Sequence, residues 1–320
     1  MDIVSNCSVS AIKGAATSLR EGNLVAFPTE TVYGLGADAQ NKTAVAKIYQ
    51  VKNRPADHPL IVHLSSTEYL DKWASDIPGY ATELARVFWP GPMTLILPRT
   101  DLAKDFITGS QNNIGVRVPS HTVALALLKE FESQGGLGVA APSANRFGKV
   151  SPTSAAAVQE ELFEYLNPND LILDGGSSFI GLESTIIDCT GSAPRILRPG
   201  GVTREMIKKS LGILIEYNSK TLMNQIKVSG LLKSHYSPNA KVLLSGTPSE
   251  GDGFIALAIH TTPKGVIRLA TPNNNTEYAR ELYKALRLAD TENLKRVFVI
   301  PPIGDGIAAA IRDRLEKSKN

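Results

Sequence analysis

The segment Phe27-Pro28-Thr29-Glu30-Thr31-Val32-Tyr33-Gly34-Leu35-Gly36 directly follows the apolar residues Leu24-Val25-Ala26. The apolar run up to Phe27 predicts a buried strand, and the rest of the segment predicts a loop that carries hydroxyls, a carboxylate and two glycines. Further along, Lys52-Asn53-Arg54-Pro55 places two cations at the end of a predicted helix. Hydroxyl groups, accessible backbone and clustered cations are what proteins use to bind anions. The two segments together predict a site for an anionic substrate.

The composition is that of an ordinary soluble globular protein, with 42% hydrophobic and 20% charged residues over 320 positions. A chain of this length predicts about two domains. The net charge of +3 argues against non-specific nucleic-acid binding as the main function. Cys7 and Cys189 have no metal-ligand spacing, so we expect a reducing, cytoplasmic location. No apolar run approaches the ~18 residues of a membrane-spanning helix, and we expect no membrane partner.

Helix-like and strand-like stretches alternate over the first part of the chain, which predicts an α/β fold around a twisted sheet with mixed strand directions. The periodicity fades over residues 216–240, and we interpret this stretch as an interdomain linker. Strands and helices alternate again over residues 241–320, a pattern typical of a small doubly wound, Rossmann-like α/β domain. The predicted organisation is therefore a first domain at 1–215, a linker at 216–240 and a second domain at 241–320.

Several common motifs are absent from the sequence. It has no Gly-x-x-x-x-Gly-Lys phosphate loop, no complete dinucleotide-binding fingerprint and no Gly-x-Ser-x-Gly nucleophile elbow. Its five histidines show no zinc-ligand spacing. A nucleotide site in this chain must therefore be of a less common kind.

Polar side chains concentrate near the predicted ends of strands, where ligands of α/β sheets usually bind. They are Thr29, Thr31, His63, Arg117, Ser143, Asn145, Ser151, Ser184 and Arg198. The cations Lys52, Arg54, Arg117 and Arg198 together carry enough positive charge to balance a triphosphate. Arginine binds a phosphate or carboxylate through two parallel hydrogen bonds, whereas lysine acts as a point charge.

Several of the candidate site residues also have a purely structural interpretation. Lys52 and Arg54 are placed to balance a helix dipole. His63 fits a hydrogen-bonded core histidine, and Arg117 is an ordinary surface charge if its strand face is exposed. Tyr236 fits simple packing of the linker. The sequence by itself leaves these alternatives open.

Five ordered motifs resemble the YrdC-like family, in its long, two-domain form. They are Pro28 to Gly36, Lys52-Asn53-Arg54, Arg117-Val118-Pro119, Pro142-Ser143-Ala144-Asn145 and Arg198-Pro199-Gly200. The resemblance implies a YrdC-like twisted mixed sheet with flanking helices, followed by the small second domain. It also implies a reaction in which L-threonine, bicarbonate or carbon dioxide, and ATP give threonylcarbamoyl-adenylate and pyrophosphate. The product then serves the threonylcarbamoylation of an adenosine in tRNA.

The resemblance also implies roles for individual residues. L-threonine is expected to contact Thr31, His63, Arg117, the backbone of Ala141, and Ser184. ATP is expected to contact Lys52, Arg54, His58, Asn113, Ser143, Ser151, Arg198 and Tyr236. Positioning and charge stabilisation, without a covalent nucleophile, fall to Lys52, Arg54, Ser143 and Asn145. No protein ligand for a metal is expected, and Mg²⁺ would be held mainly by the phosphates.

The linker is interpreted as a lid, with Tyr236 reaching over the nucleotide. The expected downstream partner is a tRNA threonylcarbamoyl-transfer complex, and direct binding of tRNA is left open. Two alternatives remain at this point: an RNA-binding module of the same fold, and a related carbamoyl-adenylate enzyme. Enzymes of the second kind carry zinc-finger and acylphosphatase-like modules, which this sequence does not show.

Overall fold

The computed structural model describes residues 3–5, 7–213, 215–217, 226–230 and 235–319. Within these residues the chain forms an 11-stranded sheet with mixed strand directions and a 4-stranded parallel sheet. The prediction of an α/β fold with a second, smaller α/β unit is confirmed. The boundaries predicted for the domains stay a prediction, and residues 218–225 and 231–234 of the predicted linker lie outside the described residues.

The strands of the large sheet are β1 (Ile3–Val4), β2 (Val25–Phe27), β3 (Gly34–Asp38), β4 (Ile61–His63), β5 (Met93–Pro98), β6 (Asn113–Arg117), β7 (Val139–Ala140), β8 (Leu171–Leu173), β9 (Thr185–Asp188), β10 (Arg195–Arg198) and β11 (Glu216–Tyr217). Their spatial order is β1-β8-β2-β3-β7-β4-β6-β5-β9-β10-β11. The helices around it are α1 (Val9–Arg20), α2 (Lys42–Lys52), α3 (Leu70–Trp73), α4 (Gly79–Phe88), α5 (Asp105–Thr108), α6 (Thr122–Ser133), α7 (Ala155–Leu162) and α8 (Arg204–Leu211). Short 3₁₀ turns lie at Thr67–Tyr69 and Phe163–Tyr165.

One predicted loop is shorter than expected, because Gly34–Asp38 forms strand β3, antiparallel to β2. Gly36 serves close packing there rather than a turn. A Cβ atom on Gly36 would lie 2.8 Å from Val139 Cγ1 and 2.9 Å from Phe27 Cε1. Only a residue without a side chain allows the strand this close to its neighbours. The loop that remains is residues 28–33.

The small sheet has the order β12-β15-β13-β14, with strands β12 (Lys241–Leu243), β13 (Gly253–Ile255), β14 (Ile267–Ala270) and β15 (Arg296–Val299). Helices α9 (Asn275–Thr291) and α10 (Ile307–Ser318) pack against it through Leu282, Leu286 and Ile311. Val32 and Leu182, from the large-sheet part of the chain, belong to the same apolar cluster. The two parts therefore share a buried core. No helix among the described residues is long and apolar enough to cross a membrane.

Candidate active site

A cavity opens beside the loop of residues 28–33, and most of the predicted site residues line it. Those that do are Thr31, Lys52, Arg54, His63, Arg117, Ala141, Ser143, Asn145, Ser184, Arg198 and Tyr236. They come from strands and loops that are far apart in the sequence, so the sheet topology is what brings them together.

Three predicted ATP contacts, His58, Asn113 and Ser151, are not among the residues that line this cavity. The His58 ring packs edge-on against Phe147, which does line it. Ser151 Oγ donates to Glu183, another lining residue, at 2.6 Å. Asn113 begins β6 and lines a neighbouring cavity. Their contact with ATP stays a prediction.

The loop of residues 28–33 is held by its own hydroxyls. Thr29 Oγ1 donates to the carbonyl of Val32 at 2.7 Å and lies 2.7 Å from Thr31 Oγ1. Because its single proton goes to Val32, Thr29 accepts the hydrogen bond from Thr31. Backbone hydrogen bonds connect the loop to its neighbours, because Tyr33 N donates to the carbonyl of Pro152 and Tyr33 O accepts from Ala144 N. A backbone hydrogen bond therefore connects the loop to the Ser143-Ala144-Asn145 motif.

Arg117 lies at the end of β6 and forms a buried ion pair with Glu30. Its Nη2 donates to Glu30 Oε1 at 2.7 Å, and the other Glu30 oxygen accepts from the backbone of Ser120 at 3.1 Å. The exposed fractions of the two side chains are 5% and 0%. Arg117 Nε is buried without a hydrogen-bond partner. The guanidinium thus has a fixed position and an unused donor, as a residue that binds a carboxylate requires.

His63 is directly opposite Arg117 in the parallel pairing of β4 with β6. Burial, together with the charge of Arg117, lowers the pKa of His63 to about 3. The imidazole is therefore neutral at physiological pH and adds no repulsion to Arg117. Its Nδ1 is buried without a hydrogen-bond partner.

The end of helix α2 sets the positions of Lys52 and Arg54. Asn53 adopts a left-handed conformation with φ 50°, which asparagine tolerates better than most residues, and so ends the helix. Lys52 Nζ donates to the carbonyl oxygens of Ser143, at 2.6 Å, and Asn145. Burial lowers the pKa of Lys52 well below its ordinary value. Lys52 therefore ties helix α2 to the Ser143-Ala144-Asn145 loop.

Two arginines, Arg54 and Arg198, meet at Ser229. Arg54 Nη2 donates to Ser229 Oγ at 3.1 Å, and Arg198 Nη1 donates to Ser229 O at 3.0 Å. Arg198 also donates to the carbonyl of Ser184 through Nε and Nη2, at 3.1 and 2.9 Å. Burial lowers the pKa of Arg54 to about 10, so it stays charged near neutral pH. Residues 226–230 of the predicted linker therefore reach the cationic wall of the cavity.

Tyr236 also belongs to this wall. Its backbone has φ 62°, and its ring stacks on Tyr283 with centroids 5.7 Å apart. Its hydroxyl is buried without a hydrogen-bond partner. Burial raises the pKa of Tyr236 to about 12, so the phenol is neutral and has a proton to donate.

Several lining residues were missed in the sequence, above all Glu183, Phe147, Ser229 and His235. Glu183 directly precedes the predicted Ser184, and His235 directly precedes the predicted Tyr236. Their position next to a predicted site residue was the one sequence feature that pointed to these two. No group of three or more His, Cys, Asp or Glu side chains in the described residues is arranged to hold a metal ion.

Two family profiles match the sequence. The one described as "Telomere recombination", which joins Sua5, YciO and YrdC, matches residues 17–200. The one described as "Threonylcarbamoyl-AMP synthase, C-terminal domain" matches residues 202–319. The chain belongs to the threonylcarbamoyl-AMP synthase family. The predicted resemblance to YrdC-like proteins is confirmed.

Similar proteins cover nearly the whole chain. The threonylcarbamoyl-AMP synthase of Pyrococcus abyssi is 39% identical over an alignment that covers 96% of this chain and 93% of that protein. The Bacillus subtilis enzyme is 43% identical over an alignment that covers 96% of this chain and 92% of that protein. The crystal structure of P. abyssi Sua5 complexed with L-threonine has a TM-score of 0.88 and 38% identity, and the match covers 97% of this chain and 94% of that one.

Proposed function

We propose that this protein is a threonylcarbamoyl-AMP synthase, which forms threonylcarbamoyl-AMP and pyrophosphate from L-threonine, bicarbonate or carbon dioxide, and ATP. The observation that carries the proposal is the single cavity in which Lys52, Arg54, Arg117 and Arg198 converge in a chain of this family. Glu30 pairs with Arg117, but Lys52, Arg54 and Arg198 form no ion pair among the described residues, and buried cations of this kind are costly unless anionic ligands offset their charge. A triphosphate and an amino-acid carboxylate are ligands of this kind.

The L-threonine carboxylate is assigned to Arg117, whose position is fixed by Glu30 and whose Nε has no protein partner. Thr31, His63, Ala141 and Ser184 complete the proposed threonine contacts. The relative crystallised with L-threonine supports this choice of substrate.

The remaining cations are assigned to ATP. Arg54 and Arg198 are bound to Ser229 in this structure, and we propose that phosphate oxygens compete for the same donors. Ser143 and Asn145 lie beside Lys52, and the buried Asn145 Oδ1 has no hydrogen-bond partner. Tyr236, which lines the cavity, is a further proposed ATP contact, and His58, Asn113 and Ser151, which do not line it, are the more distant ones.

The reaction needs no protein nucleophile. The threonine amine attacks carbon dioxide and loses a proton, which forms a carbamate; a carbamate oxygen then attacks the α-phosphorus, and pyrophosphate leaves. The chain aligns these reactants and stabilises charge, and the alignment of well-oriented reactants lowers a barrier by up to ~7–11 kcal/mol.

Magnesium is proposed to enter with ATP and to be held mainly by phosphates. The cavity-lining carboxylate, Glu183, already accepts hydrogen bonds from Ser151, Tyr283 and Arg314 and has no oxygen free for a cation.

We further propose that the product passes to a tRNA threonylcarbamoyl-transfer complex. The cytoplasm is the expected location, since the free thiols Cys7 and Cys189 stay reduced there.

Pyrophosphate release from ATP tests the function directly. We expect release that requires both L-threonine and bicarbonate, and that falls sharply in Lys52→Met. Arg195→Met, which removes a cation that does not line the cavity, serves as the matched control. Release without threonine would contradict the proposal, and RNA binding without ATP consumption would favour an RNA-binding module instead.

A further inference from the structure

Glu183 is a carboxylate in a cavity whose other charged lining residues, within the described part of the chain, are the cations Lys52, Arg54, Arg117 and Arg198. It lines the same cavity as Lys52, Arg54 and Arg198, and 8% of its side chain is exposed. Since the proposed function places a triphosphate in this cavity, a free carboxylate there would repel the substrate. The charge of Glu183 must therefore be offset by something other than ATP.

Arg314 offsets that charge from helix α10 of the C-terminal part. Its Nε donates to Glu183 Oε2 at 2.7 Å, and its side chain is completely buried. Burial alone would raise the pKa of Glu183, but Arg314 and Arg198 hold it at about 2. The carboxylate is thus ionised, paired and bonded on both oxygens, with Ser151 and Tyr283 as its other donors.

Arg314 also contacts two segments that hold proposed ATP contacts. Its guanidinium carbon lies 5.2 Å from the centre of the Tyr236 ring, within the range of a cation–π contact. Its Nη2 donates to the carbonyl of Pro199 at 2.9 Å, and Pro199 directly follows Arg198. Arg314 therefore touches the residue next to one proposed phosphate ligand and the ring of another proposed ATP contact.

We propose that Arg314 is a positioning residue through which the C-terminal domain completes the ATP site. It neutralises Glu183 and holds Tyr236 and the Arg198-Pro199 segment in place. This inference rests on the proposed function, because it assigns ATP to the cavity. It differs from a role in domain packing alone, which would predict lower stability but an unchanged affinity for ATP in the protein that remains folded.

The test compares four full-length proteins with wild type: Arg314→Met, Arg314→Lys, the double variant Glu183→Gln/Arg314→Met, and Arg268→Met. Arg268 is the matched control, since it bonds carbonyl oxygens of Ala256, Leu257, His260 and Ala270 inside the C-terminal domain and does not line the cavity. Binding of Mg·ATP is measured by calorimetry, and KM values for ATP and L-threonine by pyrophosphate release. Thermal unfolding gives the folded fraction of each protein.

We expect Arg314→Met to raise the Kd and KM for ATP by about tenfold or more, and to leave the KM for threonine within about twofold. The double variant should recover most of the affinity for ATP, because the uncompensated carboxylate is removed as well. Arg314→Lys keeps the charge and should lie between the two. Arg268→Met should lose stability with no change in affinity for ATP.

An unchanged affinity for ATP in folded Arg314→Met would overturn the proposal, as would a double variant no better than the single one. If Arg314→Met does not fold, the double variant and Arg314→Lys decide between the same outcomes. A wild-type protein that binds Mg·ATP but needs no threonine for turnover would instead contradict the proposed function, so the two failures are distinguishable.

Discussion

At the scale of single residues, the contacts of Arg117 fit the proposed binding of the threonine carboxylate. One nitrogen binds Glu30, whereas Nε is buried without a hydrogen-bond partner. We expect Arg117→Met to raise the KM for L-threonine by about 10- to 100-fold, because a charged hydrogen bond to the substrate carboxylate is lost. Initial rates at varied threonine concentrations measure this.

The same substitution leaves Glu30 as an unpaired buried charge. Removal of one partner from such a pair costs about 3–5 kcal/mol of unfolding free energy, which urea titration detects. Arg195→Met is the control, since Arg195 also pairs with a buried carboxylate, that of Asp188, but does not line the cavity. A folded Arg117→Met protein with an unchanged KM for threonine would remove Arg117 from the threonine site.

Two buried histidines predict how stability depends on pH. Burial lowers the pKa of His63 and of His235 to about 3, whereas both titrate near 6.5 in an unfolded chain. Below pH 6.5 the unfolded chain therefore binds more protons, and the free energy of unfolding decreases as the pH falls. The limiting slope is about 1.4 kcal/mol per pH unit for each histidine.

Urea unfolding between pH 7.5 and 5 measures this slope. A His63→Gln/His235→Gln variant should be less stable at pH 7.5 if packing is lost, but its stability should depend less steeply on pH. An identical slope in the variant would show that other groups cause the acid sensitivity.

The candidate site residues are recognisable in the sequence by their type and position, but the residues that they contact are not. Thr31, Lys52, Arg117 and Ser143 were recognisable because they stand near strand and helix ends, and the structure places them in one cavity. The pairing of Arg117 with Glu30 was not, because 87 positions separate the two residues. Such a contact depends on the register of strands, which local patterns do not determine.

At the scale of elements, Gly230 allows the segment of residues 226–230 to pass beside Tyr236. Its φ is +82°, and a Cβ atom there would lie 2.2 Å from the Tyr236 hydroxyl. We expect Gly230→Ala to displace the Tyr236 ring and to raise the KM for ATP. Steady-state kinetics at varied ATP concentration measures the effect.

Gly251→Ala is the matched control for that substitution. Gly251 has a similar φ of +80°, but a Cβ atom there would meet no atom within 4 Å, so the variant carries the backbone strain without the collision. Both variants should lose stability, and only Gly230→Ala should lose affinity for ATP. Equal KM values in the two variants would argue that Tyr236 has no role in binding ATP.

Elements with apolar runs were predictable, and those built from small residues were not. Strand Leu171–Leu173 and helix Gly79–Phe88 follow ordinary hydrophobic periodicity. The sequence of strand Gly34–Asp38 instead favours a loop, because glycine is rare in strands. Its conformation is imposed by pairing with β2 and by close contact with Val139, and neither is visible in a local window.

At the scale of the whole molecule, the two α/β parts meet at the cavity rather than away from it. Removal of the chain beyond residue 220 should leave a folded first part with its own apolar core. It should synthesise poorly, because Arg314 no longer pairs with Glu183 and Tyr236 is lost. Circular dichroism checks folding, and product formation checks turnover; full turnover in the truncated chain would exclude any role of the linker and C-terminal domain.

The family and the two-part architecture were predictable from ordered motifs. The contacts that the C-terminal part makes with cavity-lining residues were not. Tyr283 and Arg314 lie on ordinary amphipathic helices, and no motif distinguishes them from core residues. Their role follows only from the packing of α9 and α10 against the large-sheet part. The sequence therefore indicates which chemistry to expect, while the contacts of Arg314 with Glu183 and Tyr236 are seen only in the folded chain.

The most direct measurement is the product itself. Full-length protein is incubated with ATP, L-threonine and ¹³C-bicarbonate, and the nucleotides are separated and analysed by mass spectrometry. We predict threonylcarbamoyl-AMP that carries one ¹³C atom, formed in equal amount with pyrophosphate and absent when threonine is omitted. Formation of AMP and pyrophosphate without a labelled threonine adduct would contradict the assignment of this protein as a threonylcarbamoyl-AMP synthase.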